Sequence, residues 1–129
     1  MTDAQRVHHV LVLTDDLEET RRFWCDVLGF EPAETPPLPF DGFWLSLGGE
    51  PCVHVADRSS YDAALEALGL HRHVGPVDHV AFRREGYEEL AARLEAAGVE
   101  AARNEVAGAF RQLFVTDPNG LRVELNVAE

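Results

Sequence analysis

His9-Val-Leu-Val-Leu-Thr-Asp-Asp-Leu17 decides the reading of this chain, because its plan returns at His79-Val-Ala-Phe-Arg-Arg-Glu-Gly-Tyr87. Each stretch opens on a histidine, continues as an apolar strand and runs into the start of a helix. His9 and His54 are as far apart in sequence as His79 and Glu124, and each interval begins and ends on an alternating strand pattern. The sequence therefore reads as one unit used twice, with a side chain of metal-binding type at each matching end.

Working outward, Val7 to Leu13 reads as a strand. Asp15 or Asp16 caps a helix carrying Leu17, Thr20, Phe23, Trp24, Val27 and Leu28 at helical spacing, and Gly29 ends it. Strands are expected at Phe30 to Glu34, Gly42 to Leu47 and Pro51 to Ala56, the last two joined through Gly48-Gly49. The second half has a strand at Val77 to Arg83, a helix from Gly86 to Ala97 and a stop at Gly98. Strands follow at Val99 to Arg103, Phe110 to Thr116 and Leu121 to Val127, with Asp117-Pro-Asn-Gly120 turning the final hairpin. Between the halves, Ser60 is expected to cap a short helix from Tyr61 to Leu68. Each half is βαβββ and too small to cover its own sheet, so two must pair. The expected class is α+β, with two paired βαβββ modules forming a curled mixed sheet. One domain is expected over residues 1–129, with module one at about 6–57, a linker at about 58–76 and module two at about 77–127.

Composition narrows the classes of function. A chain of 129 residues can bury a core of its own, and Cys25 and Cys52 show neither CxxC nor framework spacing. A reducing, cytoplasmic setting is expected. The net charge of −12 argues against nucleic acid, which needs a basic surface. No apolar run approaches the length that spans a bilayer.

Alternation along the strands assigns faces. His9, Leu11 and Leu13 share one face of the first strand, opposite His8, Val10 and Val12. His79, Ala81 and Arg83 oppose Val80 and Phe82. Cys52 and His54 oppose Val53 and Val55, and Arg122 and Glu124 oppose Leu121, Val123 and Leu125. Every ligand-type side chain thus points away from the helix-packed face, and curled sheets would gather His9, His54, His79 and Glu124 in one cup. Two imidazoles and a carboxylate form the donor set of non-haem iron(II), and a third imidazole admits nickel, zinc, cobalt or manganese. By the same parity Arg83 and Arg122 face the cup and suit an anionic substrate group. Trp44 and Phe114 hold equivalent positions in the two halves and could wall the cavity or pack in a core. His8 and His71 lack repeat support, and His73 is held in reserve because it precedes a ligand strand.

His9 to Leu17 with Phe23-Trp-Cys-Asp-Val-Leu-Gly-Phe30 resembles the opening of the vicinal oxygen chelate superfamily. Val77-Asp-His-Val-Ala-Phe82 and Phe114-Val-Thr-Asp-Pro-Asn-Gly-Leu-Arg-Val-Glu124 resemble the opening and closing of its second module. That group includes glyoxalase I, bleomycin-resistance proteins, fosfomycin-resistance enzymes, methylmalonyl-CoA epimerase and extradiol dioxygenases. The resemblance implies a homodimer and one divalent metal held by His9, His54, His79 and Glu124. It also implies a small-molecule substrate that chelates the metal through adjacent oxygens. Glu124 and His54 are then the catalytic proton carriers of an isomerase or lyase. Glyoxalase I and the epimerase hold Glu or Gln where this chain has His54. Extradiol dioxygenases share the triad His9, His79 and Glu124, but have Tyr where Phe114 stands and a His near Glu105, Val106 and Ala107. An iron(II) ring-cleaving dioxygenase is the second expectation. A bleomycin-resistance-like binding protein is the third, and retention of all four ligand positions weighs against it.

Overall fold

The computed structural model describes residues 7–71, 77, 79–106 and 110–127. Two four-stranded mixed sheets form, each from one half of the sequence. The first has the order β1-β4-β3-β2, with β1 at Val10–Thr14, β2 at Glu31–Ala33, β3 at Gly42–Leu47 and β4 at Glu50–Asp57. The second has the order β5-β8-β7-β6, with β5 at His79–Arg84, β6 at Ala102–Val106, β7 at Phe110–Thr116 and β8 at Arg122–Val127. In each sheet one outer pair is parallel (β1 with β4, β5 with β8) and the other two pairs are antiparallel. The same order in both sheets is the repeat written in three dimensions. Residue contacts divide the chain into two compact units, Met1–Leu17 with Phe30–Arg72, and Glu18–Gly29 with His73–Glu129.

In the first unit the β-branched face expected from alternation is the buried one: Val12, Val53 and Val55 are at most 3% exposed, and Leu45 joins them. Gly42 lies so close to β4 that a Cβ there would meet the Val55 carbonyl oxygen, so the strand entry is reserved for glycine. Helix α2, Arg58–Ala67, starts three residues before the expected position. Its cap is Asp57, whose carboxylate accepts from the Ser60 amide at 3.0 Å, in place of Ser60 itself. A carboxylate at the N-cap meets both an orphan N–H and the positive end of the helix.

Helix α1, Leu17–Arg21, continues as a π segment over Arg22–Val27. The wide turn is closed by the Leu28 amide donating to the Phe23 carbonyl at 3.0 Å, an i to i+5 bond. Consecutive Phe23 and Trp24 are both buried there. Although α1 lies between β1 and β2 in sequence, residues 18–29 cluster with the second unit. Trp24 is 0% exposed, packs edge-on against Phe82 at 5.9 Å between ring centroids, and donates its Nε1 to Asp117 Oδ2 at 3.3 Å. Helix α3, Tyr87–Ala96, supplies Tyr87, Leu90, Ala91 and Leu94 to the same core, with Leu113, Val115, Val123, Leu125 and Val127 from the sheet.

Asp117 is 3% exposed and its carboxylate is fully engaged. Oδ1 accepts from the amides of Asn119 and Leu121, both at 2.9 Å, while Oδ2 accepts from Trp24 Nε1 and Asn119 Nδ2. Asn119 Nδ2 also donates to Thr20 Oγ1 at 3.0 Å. The turn between β7 and β8 is thus tied to α1. Replacing Asp117 with Ala strands the Trp24 N–H and the turn amides in a buried site, and is expected to cost about 3 kcal/mol. Urea denaturation monitored by tryptophan fluorescence measures it, and a loss below about 0.5 kcal/mol, the usual size of a surface change, would show that the tie carries no weight.

Candidate functional site

The first group of site residues forms across β1, β4 and β3. Leu11, His54 and Trp44 share one rung of the sheet, since Leu11 pairs with His54 and Trp44 with His54. Side chains of paired residues project to the same face, so Trp44 and His54 stack, with centroids 4.4 Å apart and planes at 16°. Phe40 lies 5.4 Å from the same imidazole. His9 immediately precedes β1; its ring is 4.7 Å from Trp44 and 6.1 Å from His54. The structure therefore brings His9 and His54 to one aromatic cluster.

His54 is only 5% exposed, and among the described residues its Nε2 has no hydrogen-bond partner; the same holds for Trp44 Nε1. Burial, and secondarily the neighbouring His9, hold the His54 pKa below its ordinary value. His9 is shifted the same way by desolvation and by His8. Both imidazoles are therefore neutral at pH 7, the form in which nitrogen can bind a metal.

His8 departs from the strand parity. β1 starts at Val10, so alternation does not extend back to His8, and its Nδ1 lies 2.8 Å from His9 Nδ1. It joins the edge of the cluster, 6.1 Å from Trp44. His8 and Trp44 also line a cleft of about 400 Å³ with Glu34, Pro36, Glu50 and Cys52.

The second group occupies the non-helical face of the other sheet. His79 Nε2 and Glu124 Oε1 are 3.3 Å apart, with the Glu124 side chain 13% exposed. Glu124 Oε2 accepts from Gln112 Nε2 at 3.0 Å, Gln112 Nε2 also donates to Asn126 Oδ1 at 3.1 Å, and Asn104 Nδ2 donates to Gln112 Oε1 at 2.7 Å. Arg83 pairs in register with Asn126, and Arg122 with His79, placing both arginines on this face at exposed positions. Phe114 pairs with Glu124 and is half-buried; it also lines an open groove of about 1050 Å³ with Glu19, Phe23, Val99 and Thr116. The four expected ligands thus appear as two pairs. Among the described residues no three His, Cys, Asp or Glu side chains form a metal-holding group.

Sequence reasoning missed Gln112, Asn126 and Asn104. Parity could have found two of them: Asn126 follows Glu124 by two positions, and Gln112 precedes Phe114 by two. Asn104 lies beyond the strand expected at Val99 to Arg103 and within β6 at Ala102–Val106. His71 is exposed beside Asp62, Leu65, Glu66 and Leu70. His73 lies outside the described residues, as does Ala107.

A model of the Glyoxalase/Bleomycin resistance protein/Dioxygenase superfamily matches residues 6–125, and the chain belongs to that superfamily. Its members commonly use a divalent metal. The chain is 32% identical to Glyoxylase I 4 of Arabidopsis thaliana, over 92% of this chain and 68% of the relative. Its fold matches lactoylglutathione lyase from Agrobacterium tumefaciens with a TM-score of 0.70 at 21% identity, over 97% and 95% of the two chains. It also matches an antibiotic binding protein from Streptomyces sp. CB03234 with a TM-score of 0.69 at 18% identity, over the whole of both chains. Among the described residues no helix is long and apolar enough to cross a membrane.

The lowered His54 pKa has a consequence for stability. With the folded value below the unfolded one, the unfolded chain takes up the proton first. Stability is intact above about pH 6.5 and falls as the pH drops through that value. Urea midpoints of metal-free protein should decline between pH 7.5 and 5, and less steeply in His54→Phe, which keeps a ring on Trp44. Equal slopes in the two proteins would show that His54 does not carry the effect.

Proposed function

We propose that this chain is a divalent-metal-dependent enzyme of the isomerase or lyase type, acting on a small substrate with two adjacent oxygens. The observation that carries the reading is His54 Nε2: a neutral imidazole nitrogen, buried, with no partner among the described residues. An unpaired buried polar nitrogen costs about 1–3 kcal/mol, which a ligand would offset. The pair His79 and Glu124 supports it, because an imidazole nitrogen and a carboxylate oxygen stand 3.3 Å apart on one sheet face.

Three imidazoles and one carboxylate fit iron, nickel, zinc, cobalt or manganese, with His9, His54, His79 and Glu124 as the ligands. When bound, the ion would supply Lewis-acid stabilisation to an oxyanion developing on the substrate. The side chains supply the rest. His54 accepts a proton when it is not itself a ligand, and Glu124 carries the second exchangeable proton site. Arg83 and Arg122 hold an anionic substrate group, and Trp44 and Phe114 provide apolar walls. The relative Glyoxylase I 4 supports the reaction class. A homodimer is part of the same proposal, supported by the terminal strands β1, β2, β5 and β6, each of which has one strand neighbour among the described residues.

Elemental analysis of protein purified without an affinity tag or chelator tests the reading, with about one metal per chain expected. Glu124→Gln should keep its far-UV spectrum and melting temperature while losing turnover with 2-oxoaldehyde–thiol adducts or related hydroxycarbonyls. Full activity in that variant would refute the assignment. Iron with oxygen uptake on catechols would replace it with the ring-cleaving dioxygenase. Ligand binding that persists after complete metal removal, with no turnover, would replace it with the binding protein.

A further inference from the structure

We infer that Gln112 is a positioning residue for Glu124: it occupies Oε2 and leaves Oε1 as the one oxygen presented beside His79. This rests on the proposed metal role of Glu124 and adds a residue that neither the repeat nor the family resemblance singles out.

Gln112 is 9% exposed and sits on β7, and its amide is engaged at both ends. Nε2 has two hydrogens, one directed to Glu124 Oε2 and the other to Asn126 Oδ1, while Oε1 accepts from Asn104 Nδ2. The carboxylate sets the direction of the whole ladder. An ionised Glu124 can only accept, so Gln112 must turn Nε2 towards it. Asn126 must then offer its oxygen, and Asn104 its nitrogen. Flipping any one amide sets acceptor against acceptor or donor against donor.

The ladder therefore treats the two oxygens of Glu124 differently. Oε2 is held by a strand-borne amide, and Oε1 lies 3.3 Å from His79 Nε2. Glu124 would thereby offer Oε1 in preference to Oε2 to an ion, and single-oxygen ligation would leave more of the coordination sphere for a substrate with two oxygens. Removing an outer partner of this kind typically weakens metal binding about 10–100-fold.

Titration of metal-free protein with Co²⁺, followed by its visible absorbance, tests this without reference to turnover. Gln112→Met keeps the volume and removes the donor. It should bind Co²⁺ at least about tenfold more weakly, with an altered visible band, as Glu124 becomes free to use both oxygens. A merely structural Gln112 would lower the melting temperature of the metal-free protein and leave affinity and band unchanged, which overturns the inference. Should Gln112→Met fail to fold, Asn104→Ala at an exposed position loosens the same amide. A several-fold loss of Co²⁺ affinity is then expected, and an unchanged affinity overturns the inference. If unaltered protein binds no Co²⁺, the metal reading itself falls and takes this inference with it. Tight Co²⁺ binding by both unaltered protein and Gln112→Met sinks only the role of Gln112.

Discussion

The carboxylate of Asp117 is the constraint on which the second unit depends. It closes the turn between β7 and β8 through two backbone amides and receives the indole N–H of Trp24. A buried carboxylate survives only when its lone pairs are satisfied, and here four donors from the turn and the helix do so. The helix needs Asp117 as much as the turn does. Trp24 is wholly buried, and truncating a side chain of that size typically costs about 3–5 kcal/mol. Its one polar atom would add a desolvation cost without the Asp117 acceptor. The π segment carries adjacent Phe23 and Trp24 into the same core.

With one face of each sheet closed by buried apolar side chains, the other face is left for polar chemistry. In the second sheet that face carries His79, Arg83, Gln112, Arg122, Glu124 and Asn126, and the pleat alone accounts for their sharing it. In the first sheet it carries Trp44 and His54 on one rung, with Leu11 beside them. The two groups solve the problem of a half-buried polar side chain in different ways. Glu124 Oε2 is met by the Gln112 amide, whereas His54 is covered by aromatic rings and its pKa is lowered by desolvation. A ring stacked on Trp44 has little rotational freedom, so His54 presents a preorganised nitrogen. Glu124 gains the same fixity from an amide.

Much of this was legible in the linear chain. β3 and β7 occupy Gly42–Leu47 and Phe110–Thr116, the spans that their alternation and turn residues mark. His54, His79 and Glu124 lie on the faces assigned by parity because register is set by which side of a strand is apolar. Helix α2 was displaced because Asp57 outcompetes Ser60 as a cap, and both stand within one turn of each other. The π segment was not legible, because its hydrogen bonds shift by one residue without changing the apolar spacing of the helix. His8 was assigned by extending alternation past the point where the strand begins, and a residue outside the ladder has no obligation to the pleat.

By itself the sequence determined the repeated βαβββ plan, the superfamily, and which face of each strand is apolar. The plan and the facing follow from strand period, helix spacing, turn residues and the equal intervals between His9 and His54 and between His79 and Glu124. The superfamily follows instead from the resemblance of His9 to Leu17, Phe23 to Phe30, Val77 to Phe82 and Phe114 to Glu124 to its two modules. Only the tertiary structure decided that residues 18–29 pack with the second unit, that Asp117 is a buried acceptor, and that Gln112 is bonded to Glu124. Each of these depends on which donor meets which acceptor once strands far apart in sequence lie side by side. An aspartate in an Asp-Pro-Asn-Gly turn or a glutamine in an alternating strand looks the same whether it faces water or another side chain, and only the packed neighbour tells them apart.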